Sequence, residues 1–155
     1  MTLPPFQQLL DAHGRDVHRF LIATVGRVDA DDCYQETWLS ALRAYPGLRD
    51  SSNLRGWLFT IAHRKAIDFA RSSRRVVPAG AELPERPVFD RYEQPDADLW
   101  ASVRELPAKQ RTAVAMRFVT DSAYSEISAA MGTSEEAARR NVHEGLTRLR
   151  REYRT

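Results

Sequence analysis

The 155 residues contain one cysteine, Cys33, so no disulfide can form within the chain and no cysteine cluster can hold zinc. Long apolar runs are missing too. None reaches the roughly 18 residues a membrane span requires, which argues against membrane insertion. The opening, MTLPPFQQLLDAHGRD, lacks the basic start and apolar core of a secretory signal, so a cytoplasmic location is expected. Histidine is scarce: His13, His18, His63 and His143 supply no pair at i, i+4 on a helix, so no metal site is expected. There is no H-E-x-x-H, P-loop, G-x-G-x-x-G or G-x-S-x-G run. The carboxylate pairs Asp31/Asp32 and Glu135/Glu136 fall near helix starts, where the helix dipole favours negative charge. An enzyme reading therefore has no residues to rest on, and no cofactor is expected. Strand-like alternation is absent, so the expected class is all-α.

Net charge is only +2, but it is unevenly spread. Residues 1–74 carry 10 Lys/Arg against 8 Asp/Glu, residues 75–98 carry 3 against 6, and residues 99–155 carry 10 against 7. Two mildly basic blocks flank an acidic middle. Non-specific DNA affinity scales with the phosphates neutralised, so such a chain would need a larger partner to hold DNA well.

Helical spacing organises most of the chain. Phe6, Leu9, Leu10, Val17, Phe20, Leu21 and Val25 predict a helix over 6–25, with a break at Gly14. A second runs from Val28 to Tyr45, with Tyr34, Trp38, Ala41, Leu42 and Tyr45 inside and Asp32, Glu36, Ser40 and Arg43 outside. Pro46-Gly47 ends it, and 48–53 is a polar loop. In 54–74, Trp57, Leu58, Ile61, Ile67 and Phe69 supply apolar mass. Arg55, His63, Arg64, Lys65, Arg71, Arg74 and Arg75 give a basic surface beside them. Aromatics next to arginines suit an unstacked single strand, unless Trp57 and Phe59 are simply core. The prolines at 78, 84, 87 and 95 predict a linker. Helix returns with Leu99, Val103 and Leu106. Pro107 opens the next helix, and Ala113, Val114 and Phe118 continue its stripe. The expected organisation is two small bundles, 1–75 and 98–155, joined by a linker over 76–97.

The most informative stretch is 122–154, SAYSEISAAMGTSEEAARRNVHEGLTRLRREYR. Tyr124, Ile127, Ser128 and Met131 share one face of a short helix. Gly132 suits the left-handed residue beyond a helix end. Thr133 with Glu136 reads as the capping box of a second helix. That helix buries Ala138, Val142, Gly145, Leu149 and Tyr153, and turns Arg139, Arg140, His143, Thr147 and Arg150 outward. A short helix, a glycine turn and a longer helix with a basic face form a helix-turn-helix, although two amphipathic helices also occur in any bundle.

Together these pieces resemble a bacterial extracytoplasmic-function (ECF) sigma factor over nearly the whole chain. DADDCYQETWLSALRAY is similar to the family's D-x-x-Q-E-T/A-F/W pattern, and NLRGWLFTIAHRKAIDFAR to the stretch after its −10 loop. Leu106-Pro107, Arg117-Phe118 and YSEISAAMGTS resemble its −35-binding domain. The resemblance implies a region 2-like domain that docks on core RNA polymerase through Asp32, Gln35 and Glu36. It also implies capture of a flipped base of the melted −10 promoter DNA by Leu48, Asn53, Arg55, Trp57, Arg64, Asp68 and Arg71. The region 4-like domain would read the −35 major groove through Ser134, Arg139, Arg140, His143 and Thr147, arginine being the best bidentate partner of guanine. An anti-sigma factor is the implied regulator.

The chain departs from the family where it has Arg64 in place of an asparagine common there. It also carries Glu135, Glu136, Asn141 and Glu144 along the reading helix. Those carboxylates would repel the phosphates the helix must approach, so promoter bases do not transfer from relatives. Two rivals follow. A sigma-like decoy would bind an anti-sigma factor without initiating transcription, but family decoys usually carry a receiver domain and no such βα pattern is present in this sequence. A one-component repressor would dimerise on palindromic DNA and leaves 1–74 unexplained.

Overall fold

The computed structural model describes residues 3–75 and 97–153. All their regular structure is helical: α1 (Phe6–Val25), α2 (Arg27–Ala44), a 3-10 turn (Tyr45–Gly47), α3 (Leu54–Arg75), α4 (Ala97–Glu105), α5 (Ala108–Phe118), α6 (Tyr124–Met131) and α7 (Glu135–Tyr153). The sequence linker over 76–97 falls almost wholly outside the described residues.

The first half is a three-helix packing of α1, α2 and α3. Phe20, Leu21, Cys33, Leu58 and Phe59 are almost completely buried at its centre. Phe20 meets Phe59 edge to face at 5.5 Å, a geometry that aromatic quadrupoles favour. His18 Nε2 lies 2.9 Å from Asp31 Oδ1, tying α1 to α2. α1 runs unbroken through Gly14, contrary to the expected break. Gly14 is buried because Tyr34 comes so close that a Cβ would lie 2.9 Å from its hydroxyl oxygen. The glycine serves close approach between helices.

The second half stacks α4, α5 and α6 around α7. α6 ends at Gly132, whose φ of 64° is the left-handed conformation anticipated there. The cap of α7 is shifted by one residue from the expected Thr133. Ser134 Oγ accepts the Ala137 N–H at 3.1 Å, and Ser134 O accepts from Ala138 at 2.9 Å. The reciprocal carboxylate belongs to the preceding helix, where Glu126 Oε1 accepts the Ala123 N–H at 3.3 Å.

The two halves do not hang apart. α3 packs on α6, and α1 on α4 and α5. One apolar cluster holds Phe20, Phe59 and Ala62 together with Met116, Ile127 and Ala130. His63 Nδ1 lies 3.0 Å from Thr112 Oγ1 across this seam.

Candidate nucleic-acid interface

α7 is seated by Ala138, Val142, Gly145 and Leu149, all buried, so the rest of its circumference is fixed outward. Arg139, Arg140 and His143 are exposed on that side, and Thr147 is half-exposed. The Thr147 hydroxyl donates to the His143 carbonyl at 2.9 Å, which leaves its oxygen as an acceptor for an outside donor. Ser134 is exposed, with its hydroxyl oxygen engaged in the cap of α7. Arg139 leans back over α6: its Cζ lies 5.1 Å from the Tyr124 ring centroid. Glu135, Glu136 and Glu144 are exposed on the same helix, but among the described residues none forms an ion pair with Arg139.

On α3 a second stripe runs along one side at spacings of four and three. Trp57 and Ile61 are half-buried at its base, and Arg64, Asp68 and Arg71 are exposed above them. Trp57 packs on Tyr45 at 6.0 Å between ring centroids. Asn53 lies at the start of this helix, where its Oδ1 accepts the Gly56 N–H at 2.9 Å. Leu48 is half-buried, with its N–H on the Tyr45 carbonyl. In the loop between them, hydrogen bonds from Ser52 hold the Asp50 carboxyl below the usual carboxylate range.

Arg55 stands off this stripe and faces the second half. Its guanidinium donates to Asp16 Oδ2 at 2.9 Å, Glu126 Oε2 at 3.1 Å and the Thr120 carbonyl at 2.9 Å. It also lies over the Phe59 ring at 4.9 Å. His63, expected on the basic surface, is buried in the seam, since it falls on the face of α3 that carries Phe59, Ala62 and Ala66. Burial first, then the charges of Arg64 and Arg111, lower its pKa.

Asp32, Gln35 and Glu36 are exposed on α2, and Glu36 Oε2 lies 3.9 Å from Lys65 Nζ. Beside them Leu39 and Leu42 are about half exposed, at 47% and 51%. Leu42 was expected inside. With Trp38, Ala41 and Tyr45 turned into the core, a residue one position further is rotated about 100° away and faces solvent. That same geometry is the sequence signal by which the Leu39/Leu42 ridge could have been found. Phe118, also expected on an inner stripe, is 57% exposed. It borders an apolar groove of ≈370 Å³ among α4, α5 and α7, lined by Trp100, Val103, Val114, Leu146 and Leu149.

Burial pushes the Cys33 thiol up to about 12, so it stays protonated. Among the described residues no group of three or more His, Cys, Asp or Glu is placed to hold a metal, and no helix is long and apolar enough to cross a membrane.

A helix-turn-helix with arginines on its outer face, joined to a helical bundle bearing an aromatic and basic stripe, has the layout of a two-part DNA-binding transcription factor. Residues 9–76 match the model of Sigma-70 region 2, and residues 96–149 that of Sigma-70 region 4. The ECF RNA polymerase sigma factor SigD of Mycobacterium tuberculosis is 35% identical over 150 residues, which cover 88% of this chain and 71% of SigD. The ECF RNA polymerase sigma factor SigE of Mycolicibacterium smegmatis is 28% identical over 161 residues, covering 96% of this chain and 62% of SigE. The fold matches that of the sigma factor RpoE solved with the anti-sigma factor NepR from Bartonella quintana, at a TM-score of 0.76 and 23% identity over 99% of both chains. The chain belongs to the ECF sigma factors.

Proposed function

We propose that this sigma factor directs promoter-specific transcription initiation by presenting three surfaces to three targets, with no catalytic step of its own. The exposed face of α2, with Asp32, Gln35, Glu36 and the Leu39/Leu42 ridge, docks on core RNA polymerase. The Trp57, Arg64, Asp68 and Arg71 stripe, with Leu48 and Asn53 at its foot, receives the melted −10 strand. Arg139, Arg140, His143 and Thr147 read the −35 element, and Ser134 sets the start of their helix. The observation that carries this is the seating of α7. Its buried stripe leaves one orientation, and in it the two arginines and the histidine face outward together. The weak net charge supports dependence on polymerase, because few phosphates can be neutralised by this chain alone. Restraint by an anti-sigma factor belongs to the same reading. The apolar groove beside Phe118 is a surface on this chain that an amphipathic helix of such a partner would fit. Action alongside polymerase places the protein in the cytoplasm.

Run-off transcription with purified core polymerase and a pool of genomic fragments tests this directly. Discrete transcripts that require the protein are expected. Arg139→Ala with Arg140→Ala should then weaken promoter binding by about tenfold or more, at about 1–3 kcal/mol per lost base contact, and leave core binding intact. Core binding without any transcript would replace this reading with the decoy.

A further inference from the structure

We infer that Tyr124 is a positioning residue for DNA reading: its ring holds the Arg139 guanidinium in place for a base contact. The inference rests on the reading of α7 as the −35 helix. It begins with a contact the sequence does not show. Two guanidiniums lie over the Tyr124 ring, Arg117 from α5 at 4.6 Å and Arg139 from α7 at 5.1 Å. One ring therefore links three helices of the second half.

The fixed side of this arrangement is Arg117. It donates to the Ser122 carbonyl at 3.1 Å, and Ser122 is completely buried, with its hydroxyl 2.8 Å from that of Thr120. Tyr124 is half-buried against the apolar cluster, and the start of its helix is secured by Glu126 on the Ala123 N–H. Arg139 is the other side. It is exposed and, among the described residues, makes no ion pair. A free arginine side chain carries about 2 kcal/mol of rotamer entropy that a base contact would have to freeze out. Attraction to the ring's face removes part of that freedom beforehand without consuming the N–H donors. The arginine thus arrives at the groove with its donors available and its direction limited.

This predicts a loss of discrimination rather than a uniform loss of affinity. Without the ring, Arg139 is released to the nearest phosphates, which are the same on every sequence. The measurement uses polymerase holoenzyme on a promoter fragment recovered by run-off transcription, and on the same fragment with its −35 bases scrambled. The readout is the ratio of the two affinities. Tyr124→Leu should lower that ratio about two- to fivefold, the range of an exposed cation–π contact, by weakening only the intact promoter. Tyr124→Phe, which keeps the ring, should retain most of the ratio. In an Arg139→Ala background Tyr124→Leu should change the ratio no further. Equal weakening on both fragments, or an undiminished effect of Tyr124→Leu in the Arg139→Ala background, would show that Tyr124 only packs the domain and overturn the inference. If Arg139→Ala alone left the ratio unchanged, the base contact itself would be absent. The −35 reading of that residue would then fall, and the inference with it.

Discussion

Folding takes His63 out of water and sets it against Thr112, where burial and the charges of Arg64 and Arg111 hold its pKa below the ordinary 6.5. His13 is lowered as well, by burial and then by Arg55. For both, the unfolded chain binds more protons than the native chain as pH drops below 6.5, so stability is fully present above that value and declines below it. Thermal unfolding followed from about pH 7.5 down to about 5.5 should show a falling midpoint, and His63→Gln should flatten part of the fall. A wild-type midpoint that does not move would rule this out. The titrating contact lies in the seam, so acid should loosen the two halves from each other first. Residue type misplaced His63 among surface bases, and helical spacing alone put Leu42 and Phe118 on inner stripes. What decides exposure at these positions is angle around the helix relative to neighbours already buried, together with which helix covers which face. The second of these is a tertiary fact.

Whole elements were more legible because their signals are local. The alternation of buried and exposed positions in α6 and α7, the left-handed Gly132 between them and the opening of α5 after Pro107 depend on residues within a few positions of one another. Gly14 was harder to read, and Gly145, correctly placed on the buried stripe, did not disclose its partner, since what constrains each comes from another helix. A Cβ at Gly145 would lie 2.7 Å from Val114 Cγ2. Gly→Ala inside a helix ordinarily stabilises by about 1 kcal/mol. Here the added methyl overpacks the α5–α7 contact at about 1–3 kcal/mol. Val114, β-branched on a helix, has essentially one χ1 position and cannot swing aside. Gly145→Ala should therefore lower the unfolding midpoint of the protein. A raised midpoint would show that α7 can shift outward without loss, and that the glycine is not needed for close packing.

At the scale of the molecule, the seam and the promoter make opposing demands. A compact chain of this length has a radius of gyration of about 15 Å, which corresponds to a body roughly 40 Å across. Elements at −10 and −35 are separated by about 25 base pairs, or roughly 85 Å at 3.4 Å per step. If α3 and α7 receive the two promoter elements as proposed, both cannot meet their DNA while α3 lies on α6, and engagement then requires the halves to separate. Separation breaks the Arg55 contacts to Glu126 and the Thr120 carbonyl but spares that to Asp16, which is in the same half. Semi-exposed ion pairs contribute about 0.2–1 kcal/mol each, less than the apolar cluster that also spans the seam, so removing one should shift the balance modestly. Reversing the charge should do more, because Arg55→Glu turns the attraction to Glu126 into a repulsion as well as losing the hydrogen bond to the Thr120 carbonyl. Small-angle scattering of the free protein should therefore give a radius of gyration that increases from wild type to Arg55→Ala to Arg55→Glu, with circular dichroism showing the helices intact. An unchanged radius across the three would mean that the apolar contacts alone set closure, and that Arg55 only fixes how the halves register.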